Sequence, residues 1–402
     1  MTKKTKVVLL ENISEASIKT FNQYGIDDVT IVKGSIEDAP ASVFEADILG
    51  IRSRSKLTLE VLKKFKNLSC VGCFCIGTDQ VALDEAKMLG IPVFNAPFSN
   101  TRSVAELVIA EIITLYRRLQ VVNLEMHKGI WSKNAQGCNE IKNKTLGIIG
   151  YGNIGAQIGV IAEALGMSVI YFDVENKLPF GSNRQVSSLD ELLQNADVVT
   201  LHVPQDESTN NIINKSTIAK MKKGAFLINA SRGHVVDIDA LAEGLESKQI
   251  AGAAIDVFPV EPANNNEEFV SPLRKFDNVL LTPHIGGSTQ EAQENIAIEV
   301  ANKLASYHLT GSTAMSVNYP NLSLQKPKKS CIRIAHVHAN VPGVLQAINL
   351  EITKCAINIQ SQILGTDSKI GYVVLDVEAE SLPESLKKGL EAINGTIAVR
   401  VL

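Results

Sequence analysis

Three polar residues follow short apolar runs late in the chain, and their types suit one reaction. They are Arg232 in NASRG, Glu261 in DVFPVEP and His284 in TPHIGG. An imidazole, whose ordinary pKa is about 6.5, can remove a hydroxyl proton, and a carboxylate at its far ring nitrogen fixes the tautomer. A guanidinium can hold a carboxylate by two parallel hydrogen bonds. The set indicates oxidation of a 2-hydroxy acid; taken singly, the residues also fit a turn cap, an ion pair and a loop cap.

A glycine-rich turn indicates a dinucleotide site. Gly150-Tyr-Gly152-Asn-Ile-Gly155 follows the apolar run TLGII and opens a helical pattern, the arrangement that places a pyrophosphate at a helix N-terminus. Asp173 ends the next apolar run, roughly 20 residues after Gly150, where an acid binds the ribose hydroxyls and repels a 2′-phosphate. We therefore expect NAD rather than NADP. The alternative is a glycine-rich turn beside an ordinary strand-end acid.

Other polar residues after apolar runs are candidates for binding the cofactor or an anionic substrate. Asp256 ends AGAAID, where it could meet the nicotinamide or its ribose; a loop carboxylate without a ligand is the alternative. The segment 52–55 holds Arg52, Ser53, Arg54 and a second serine, which together could form an anion cradle or be merely surface residues. Gly77 and Asn100 follow two further runs, and Asn100 directly precedes a long helical pattern, whose N-terminus favours an anion.

The elements that must position these residues alternate between strand and helix patterns, as in parallel α/β sheets. The 402 residues predict two to three domains. We predict five strands in a discontinuous domain of residues 1–99 and 291–320, one long helix over 101–124, and six strands in a nucleotide-binding domain of residues 100–290. A polar linker, 321–329, precedes a β-α-β-β-α-β unit over 330–402.

Composition narrows the class of protein further. The formal charge is −4, and no block of like charges suits nucleic acid or an anionic membrane. No apolar run is long enough to span a bilayer and the start has no signal-peptide pattern, so we expect a soluble cytoplasmic protein. Cys70 and Cys73 have CxxC spacing, but they lie inside an apolar run without a second pair. We therefore expect neither a metal nor a redox site.

GIIGYGNIG, NASRG, AAIDVFPVEP and LLTPHIGGSTQEAQ together resemble the D-isomer-specific 2-hydroxyacid dehydrogenase family. The resemblance implies a flavodoxin-like substrate domain, a Rossmann domain that binds NAD, and a ferredoxin-like ACT domain. By it, Arg232, Glu261 and His284 are catalytic, with His284 the acid/base. It implies that the NAD site comprises Gly150, Gly152, Asn153, Ile154, Gly155, Asp173, Ala230, Ser231, Arg232, Asp256, His284, Ile285, Gly286 and Gly287.

The resemblance also implies a substrate and an effector. The expected substrate is 3-phosphoglycerate. The resemblance does not supply its binding residues; from residue type and position we expect Arg52, Ser53, Arg54, Gly77 and Asn100 to bind it. The expected effector is L-serine, bound by His338, Asn340 and Asn358 at a subunit interface of a homotetramer. A side activity on 2-oxoglutarate is a further expectation. Three alternatives stay open: another D-2-hydroxyacid substrate such as glycerate, an NAD-sensing corepressor-like scaffold, and an ACT unit that serves only oligomerisation.

Overall fold

The structure, a computed structural model, describes residues 4–262, 266–328 and 330–402. Lys329 of the predicted linker therefore lies outside the described residues, as do residues 1–3 and 263–265 of the predicted domains. The chain forms two compact units, one of residues up to Ser99 with Gln293–Leu402, the other Asn100–Ala292. No helix in the described ranges is long and apolar enough to cross a membrane.

The first unit begins with a parallel sheet of five strands in the order β2-β1-β3-β4-β5. Residues of β3 and β4 are fully buried because helices and loops cover both faces, as is usual for parallel sheets. This strand order is that of a flavodoxin-like sheet, as predicted. The elements are β1 Lys6–Leu9, α1 Ala16–Gln23, β2 Asp28–Ile31, β3 Ile48–Ile51, α2 Leu59–Leu62, β4 Cys70–Cys73, α3 Leu83–Met88 and β5 Val93–Phe94.

The second unit opens with two helices where one was predicted. Helix α4 covers Thr101–Arg117 and α5 covers Leu119–His127. Between them Arg118 adopts a left-handed conformation with φ of 51°, which interrupts the hydrogen-bond ladder. Its side chain donates to the carbonyl of Gln136 at 3.3 Å. The prediction of one helix over 101–124 is therefore wrong. The sequence does not reveal the break, because no glycine or proline marks it.

The rest of the second unit is a seven-stranded parallel sheet in the order β12-β11-β10-β9-β6-β7-β8, the Rossmann arrangement. Six of these strands were predicted. The additional one, β8, is only two polar residues long, so it has no recognisable apolar pattern. The elements are β6 Thr145–Ile149, α6 Asn153–Ala164, β7 Ser168–Phe172, β8 Arg184–Gln185, α7 Leu189–Asn195, β9 Val198–Leu201, α8 Lys215–Lys220, β10 Ala225–Asn229, α9 Ile238–Glu246, β11 Ile250–Ile255 and β12 Val279–Leu281.

Helix α10, Gln290–Thr310, leads back into the first unit, which ends with an antiparallel sheet in the order β14-β15-β13-β16. Ala335, Val337 and Tyr372 of this sheet share one apolar core with Val300 and Leu304 of α10. The predicted ferredoxin-like order β-α-β-β-α-β is confirmed, and with it the fold class. Its elements are β13 Cys331–Ala339, α11 Val344–Lys354, β14 Asn358–Thr366, β15 Ile370–Glu378, α12 Glu384–Glu391 and β16 Thr396–Val401.

Candidate active site

The glycine-rich turn connects β6 to α6 and leaves room for a ligand. Gly150 has φ of 90°, and a Cβ there would lie 2.4 Å from the carbonyl oxygen of His202. A Cβ on Gly155 would lie 2.2 Å from the carbonyl oxygen of Gly150, so both positions require glycine. Gly152 instead faces open space, directly before Asn153 and Ile154 of α6. The turn therefore offers an open approach to a helix N-terminus, which fits a pyrophosphate.

Asp173 follows β7 and is tied to the glycine-rich turn. Its carboxylate accepts hydrogen bonds from the backbone N–H groups of Tyr151, at 2.9 Å, and Glu175, at 3.0 Å. The buried phenol of Tyr151 in turn accepts from the Asn183 amide at 2.7 Å and from the Phe180 N–H at 3.3 Å. The turn and the segment after β7 are thus held together. The Asp173 carboxylate, a hydrogen-bond acceptor, fits the ribose hydroxyls of NAD.

His284 and Glu261 form the central pair of the site. Nδ1 of His284 lies 2.9 Å from a carboxylate oxygen of Glu261, whose other oxygen accepts from the Phe258 N–H at 3.1 Å. The hydrogen bond to Glu261 raises the pKa of His284, and burial opposes that effect only partly. Burial works against ionisation of Glu261, but hydrogen bonds from His284 and Phe258 prevail and lower its pKa. The pair therefore favours a charged imidazole once a proton arrives.

Asp256 holds the loop that presents His284. It is 1% exposed, and its carboxylate accepts from the Thr282 hydroxyl at 2.6 Å and from the N–H groups of Ile285 and Gly286, both at 2.8 Å. Its carbonyl accepts from the His284 N–H at 2.8 Å. His284 adopts φ of 54°, a conformation that a non-glycine residue keeps only when its surroundings impose it. Asp256 is one such constraint.

Arg232 is placed by a residue that the sequence analysis did not single out. The fully buried Asn229 at the end of β10 donates from its amide to the Arg232 carbonyl at 2.9 Å and accepts from the N–H and hydroxyl of Ser231. Arg232 lowers the pKa of both Glu261 and His284 through its charge. The three predicted catalytic residues therefore lie at the carboxyl ends of neighbouring strands, with Ala230 and Ser231 beside them. An asparagine directly before the ASRG run was the available signal.

The predicted anion cradle of the first unit is arranged differently from the expectation. The N–H groups of Arg52, Arg54 and Ser55 all donate to the carboxylate of Glu11, at 2.9 to 3.1 Å. The Ser55 hydroxyl is buried and accepts from the Ile36 N–H at 3.0 Å. Three of the four backbone N–H groups of this loop are thus already used, and the Ser55 hydroxyl is buried beside Ile36. The side chains of Arg52, Ser53 and Arg54 are what it can offer an anion.

Gly77 and Asn100 lie in different units. In the first unit, the side-chain amide of Gln80 donates to the carbonyls of Arg52, at 2.8 Å, and Gly77, at 3.3 Å. Gln80 therefore joins the loop that contains Arg52 to the loop that contains Gly77. In the second, Asn100 precedes α4, and its side chain packs against Gly287, where a Cβ would lie 2.3 Å from the Asn100 amide nitrogen. The predicted N-terminal site at Asn100 therefore adjoins the His284 loop. Gln80 was another residue that the sequence analysis did not identify.

The predicted effector residues do not meet within one chain. His338 is 4% exposed and lies against Gly371, while the exposed Asn340 side chain donates to the Asp367 carbonyl at 2.7 Å. The amide of Asn358 donates to Glu378 at 2.9 Å. Pairing places Gly371 opposite His338 and Glu378 opposite Asn358, seven residues apart along β15. At about 3.3 Å per residue, that separation is roughly 23 Å.

Comparisons with known proteins agree with this geometry. Residues 109–286 match the NAD-binding domain of D-isomer specific 2-hydroxyacid dehydrogenases, and residues 334–398 match an AHAS small subunit-like ACT domain. The chain belongs to the D-isomer-specific 2-hydroxyacid dehydrogenase family and is an NAD-dependent oxidoreductase. The predicted family, enzyme class and cofactor are therefore confirmed.

Particular relatives narrow the resemblance. The chain is 52% identical to D-3-phosphoglycerate dehydrogenase of Haemophilus influenzae and 51% identical to that of Escherichia coli K12, covering 99% of this chain and 97% and 98% of those proteins. D-lactate dehydrogenase of Aquifex aeolicus, solved with NAD and lactic acid, is 29% identical. The structural alignment covers 79% of this chain and 100% of the D-lactate dehydrogenase chain, with a TM-score of 0.68.

Proposed function

We propose that this chain oxidises 3-phospho-D-glycerate to 3-phosphohydroxypyruvate with NAD, the first step of the phosphorylated route to L-serine. The observation that carries the proposal is the hydrogen-bonded pair of His284 and Glu261 at the strand ends. It occurs in a chain about half identical, over nearly its whole length, to D-3-phosphoglycerate dehydrogenases. The predicted catalytic and NAD-binding residues are part of this proposal.

The chemistry assigned to the residues is proton transfer and charge stabilisation. With Nδ1 of His284 bonded to Glu261, Nε2 is the ring nitrogen left to take the proton of the substrate's carbon-2 hydroxyl. Glu261 stabilises the imidazolium that results, and Arg232 holds the substrate carboxylate and polarises the carbonyl in the reverse direction. NAD, when bound, supplies the two-electron acceptor, with its pyrophosphate on the turn at Gly152 and its ribose on Asp173.

Recognition of the substrate phosphate is assigned to Arg52 and Arg54, with Ser53. Their backbone N–H groups are fixed by Glu11, except that of Ser53, so the guanidinium groups project from an immobilised loop. A rigid loop reduces the ordering cost of binding a small anion. Replacing both arginines by glutamine is expected to weaken the binding of 3-phosphoglycerate far more than the binding of D-glycerate. Equal losses for the two substrates would contradict the phosphate assignment.

The experiment that tests the activity is NAD reduction with 3-phosphoglycerate, D-glycerate and, in reverse, 2-oxoglutarate. We expect the phosphorylated acid to be the best of the 2-hydroxy acids and His284→Ala to lower kcat at least about 100-fold. His127→Ala, an exposed histidine on α5, is the matched control and should behave as the parent. A protein that binds NAD but oxidises no 2-hydroxy acid would favour the corepressor-like alternative.

The proposal extends to feedback inhibition by L-serine in a homotetramer in the cytoplasm. The separation of Asn358 from His338 within one chain supports a serine site built from two copies, with His338 and Asn340 from one and Asn358 from the other. The six free cysteines support a reducing compartment. An ACT unit that only oligomerises is the alternative that the serine measurements must separate.

A mixing experiment tests the two-copy site. His338→Ala and Asn358→Ala should each abolish serine binding in calorimetry. When equal amounts of the two variants are dissociated and reassociated at random, about half of the interfaces are mixed and each mixed interface has one of its two sites intact. The mixture should therefore recover about a quarter of the binding expected for the parent. If the mixture recovers neither serine binding nor serine inhibition, the shared site is contradicted. If either single variant still binds serine, the replaced residue is not part of the site.

A further inference from the structure

The turn between β14 and β15, residues 366–370, connects the predicted effector residue Asn340 to helix α3. Asn340 donates from its side-chain amide to the Asp367 carbonyl at 2.7 Å and from its backbone N–H to the Lys369 carbonyl at 3.0 Å. The Asp367 carboxylate accepts from the N–H groups of Lys369 and Ile370, both at 2.8 Å. The turn is therefore a closed, internally bonded unit, and Asn340 is attached to it at two points.

The same turn is joined to α3 by two ion pairs of opposite polarity. Lys87 pairs with Asp367 at 2.7 Å, and Asp84 pairs with Lys369 at 2.9 Å. Asp84 and Lys87 are three residues apart, so they lie on one face of the helix. A slip that exchanged the partners would bring Asp84 to Asp367 and Lys87 to Lys369, which is repulsive. The alternating charges therefore specify one position of the turn on the helix.

Helix α3 also touches the last strand of the ACT unit. Gly90, just after the helix, has φ of 78°, and a Cβ there would lie 2.6 Å from the Cβ of Ala398 in β16. Lys87 and Asp367 are 14% and 29% exposed, so their pairing is screened less than that of Asp84 and Lys369, at 65% and 48%. Helix α3 and the residues directly after it thus meet the ACT unit at three points, and the Lys87–Asp367 pair is the more protected of the two ion pairs.

The other end of α3 leads to the loops assigned to the substrate. Gln80 lies three residues before the helix, and its amide bonds the carbonyls of Arg52 and Gly77. Its carbonyl accepts from the Leu57 N–H at 2.8 Å. A shift of α3 would therefore act on both loops. The contacts from Asn340 to Arg52 form a continuous series, and all of these residues lie within the first compact unit.

We propose that the turn 366–370 and α3 form a coupling element that transmits effector occupancy at Asn340 to the Arg52 and Gly77 loops. The proposal rests on the proposed serine regulation. The Asn340 amide that would bind the effector is the group that holds the Asp367 carbonyl. Effector binding at Asn340 therefore weakens or displaces the hydrogen bond between the Asn340 amide and the Asp367 carbonyl. The ion pairs transmit the resulting displacement of the turn to α3.

Charge reversal with a matched control tests the coupling element. We would compare Lys87→Glu, Asp367→Lys and the double variant, which restores an ion pair with the charges exchanged. Glu45→Lys is the control, because it breaks a surface ion pair with Lys6 elsewhere in the same unit. The readouts are kcat and KM without serine, the activity left at saturating L-serine, and serine binding by calorimetry.

The single variants should keep kcat and KM within about twofold of the parent and should still bind serine. Saturating serine should leave the single variants at least half of their activity, whereas the parent should keep only a small fraction. The double variant should regain most of the inhibition. Asp84→Lys, with Lys369→Asp as its restoring partner, provides a second and more exposed pair should Lys87→Glu fail to fold.

Two results would overturn the proposal, and they are distinguishable. Single variants inhibited as completely as the parent, or a double variant no better than the singles, would show that the ion pairs do not carry the coupling. A parent that L-serine does not inhibit would overturn the proposed regulation together with the coupling element. Altered inhibition by Glu45→Lys would show that any change of surface charge suffices, which also contradicts the proposal.

Discussion

The two units each contain a loop that a single buried carboxylate organises. In the second unit, Asp256 accepts from Thr282, Ile285 and Gly286 and so presents His284. In the first, Glu11 is 2% exposed and accepts from three N–H groups of the Arg52–Ser55 loop. Both carboxylates are positioning groups whose own oxygens are consumed by the loop. We expect the chemistry to be done by the side chains that these loops leave exposed.

The two loops differ in what they present. The Asp256 loop presents a titratable imidazole in a left-handed conformation, bonded to a second carboxylate. The Glu11 loop presents guanidinium groups, which stay charged at any working pH. We therefore expect the first kind of loop to govern the rate and its pH dependence, and the second to govern affinity for an anion. Substitutions in the two carboxylates separate these effects.

The largest effect is expected from Asp256→Asn. An amide cannot accept at both positions, so at least one buried donor among Thr282, Ile285 and Gly286 loses its partner, at roughly 1–3 kcal/mol each. His284 would then leave its strained conformation, and kcat/KM should fall about 100-fold or more. Steady-state kinetics measures the loss, with the far-UV circular dichroism spectrum as the control for folding. A variant within threefold of the parent would show that the loop does not depend on Asp256.

Glu11→Gln should have a smaller and more selective effect. It removes one of the oxygens that accept from Arg52, Arg54 and Ser55, so the loop loosens while the arginines remain. We expect KM for 3-phosphoglycerate to rise about tenfold, with kcat within about threefold and D-glycerate little affected. Equal losses on both substrates would mean that the Glu11 loop supports the fold of the first unit rather than phosphate binding.

The pH dependence of kcat/KM should identify the Asp256 loop as the titrating one. His284 acts as a base only when neutral, so activity in the oxidation direction falls as pH drops through its pKa. Its hydrogen bond with Glu261 raises that pKa; Glu261→Gln should therefore lower it and move the acid limb to lower pH. Arg52→Gln should leave the limb in place. An unmoved limb in Glu261→Gln would contradict the assignment of His284.

The smallest effect is expected at a third loop, which Asp173 and Tyr151 organise in the same way. Tyr151→Phe keeps the ring but removes the oxygen that accepts from Asn183 and the Phe180 N–H. The segment after β7 should loosen, raising KM for NAD about threefold with kcat unchanged. Tyr24→Phe, which removes a hydroxyl donating to the Asn302 side chain in the first unit, is the matched control. A fall in kcat without a change in KM would contradict a role confined to cofactor binding.

Residues that end predicted strands were found from the sequence, and residues that support them were not. The catalytic candidates follow apolar runs that predict strands of a parallel sheet, and the chain must turn after each strand. These candidates are His284, Glu261 and Arg232, whose side-chain types together indicate one reaction. Asn229 directly precedes the ASRG run, but neither it nor Glu11 stands out by type or position, because polar residues at strand ends are common. Arg118 shows the same limit for secondary structure: no local residue preference marks its left-handed conformation, which tertiary contacts impose.

The sequence by itself determined the order of strands and helices, the glycine-rich turn and the types of the reacting groups. These depend on local periodicity and on the steric needs of glycine, which neighbouring residues set. Only the tertiary structure decided which carboxylate does chemistry and which holds a loop, and that Asn358 and His338 lie at opposite ends of their sheet. The roles of Asp256 and Glu11 depend on which donors meet each oxygen, and those donors come from residues 26 to 44 positions away.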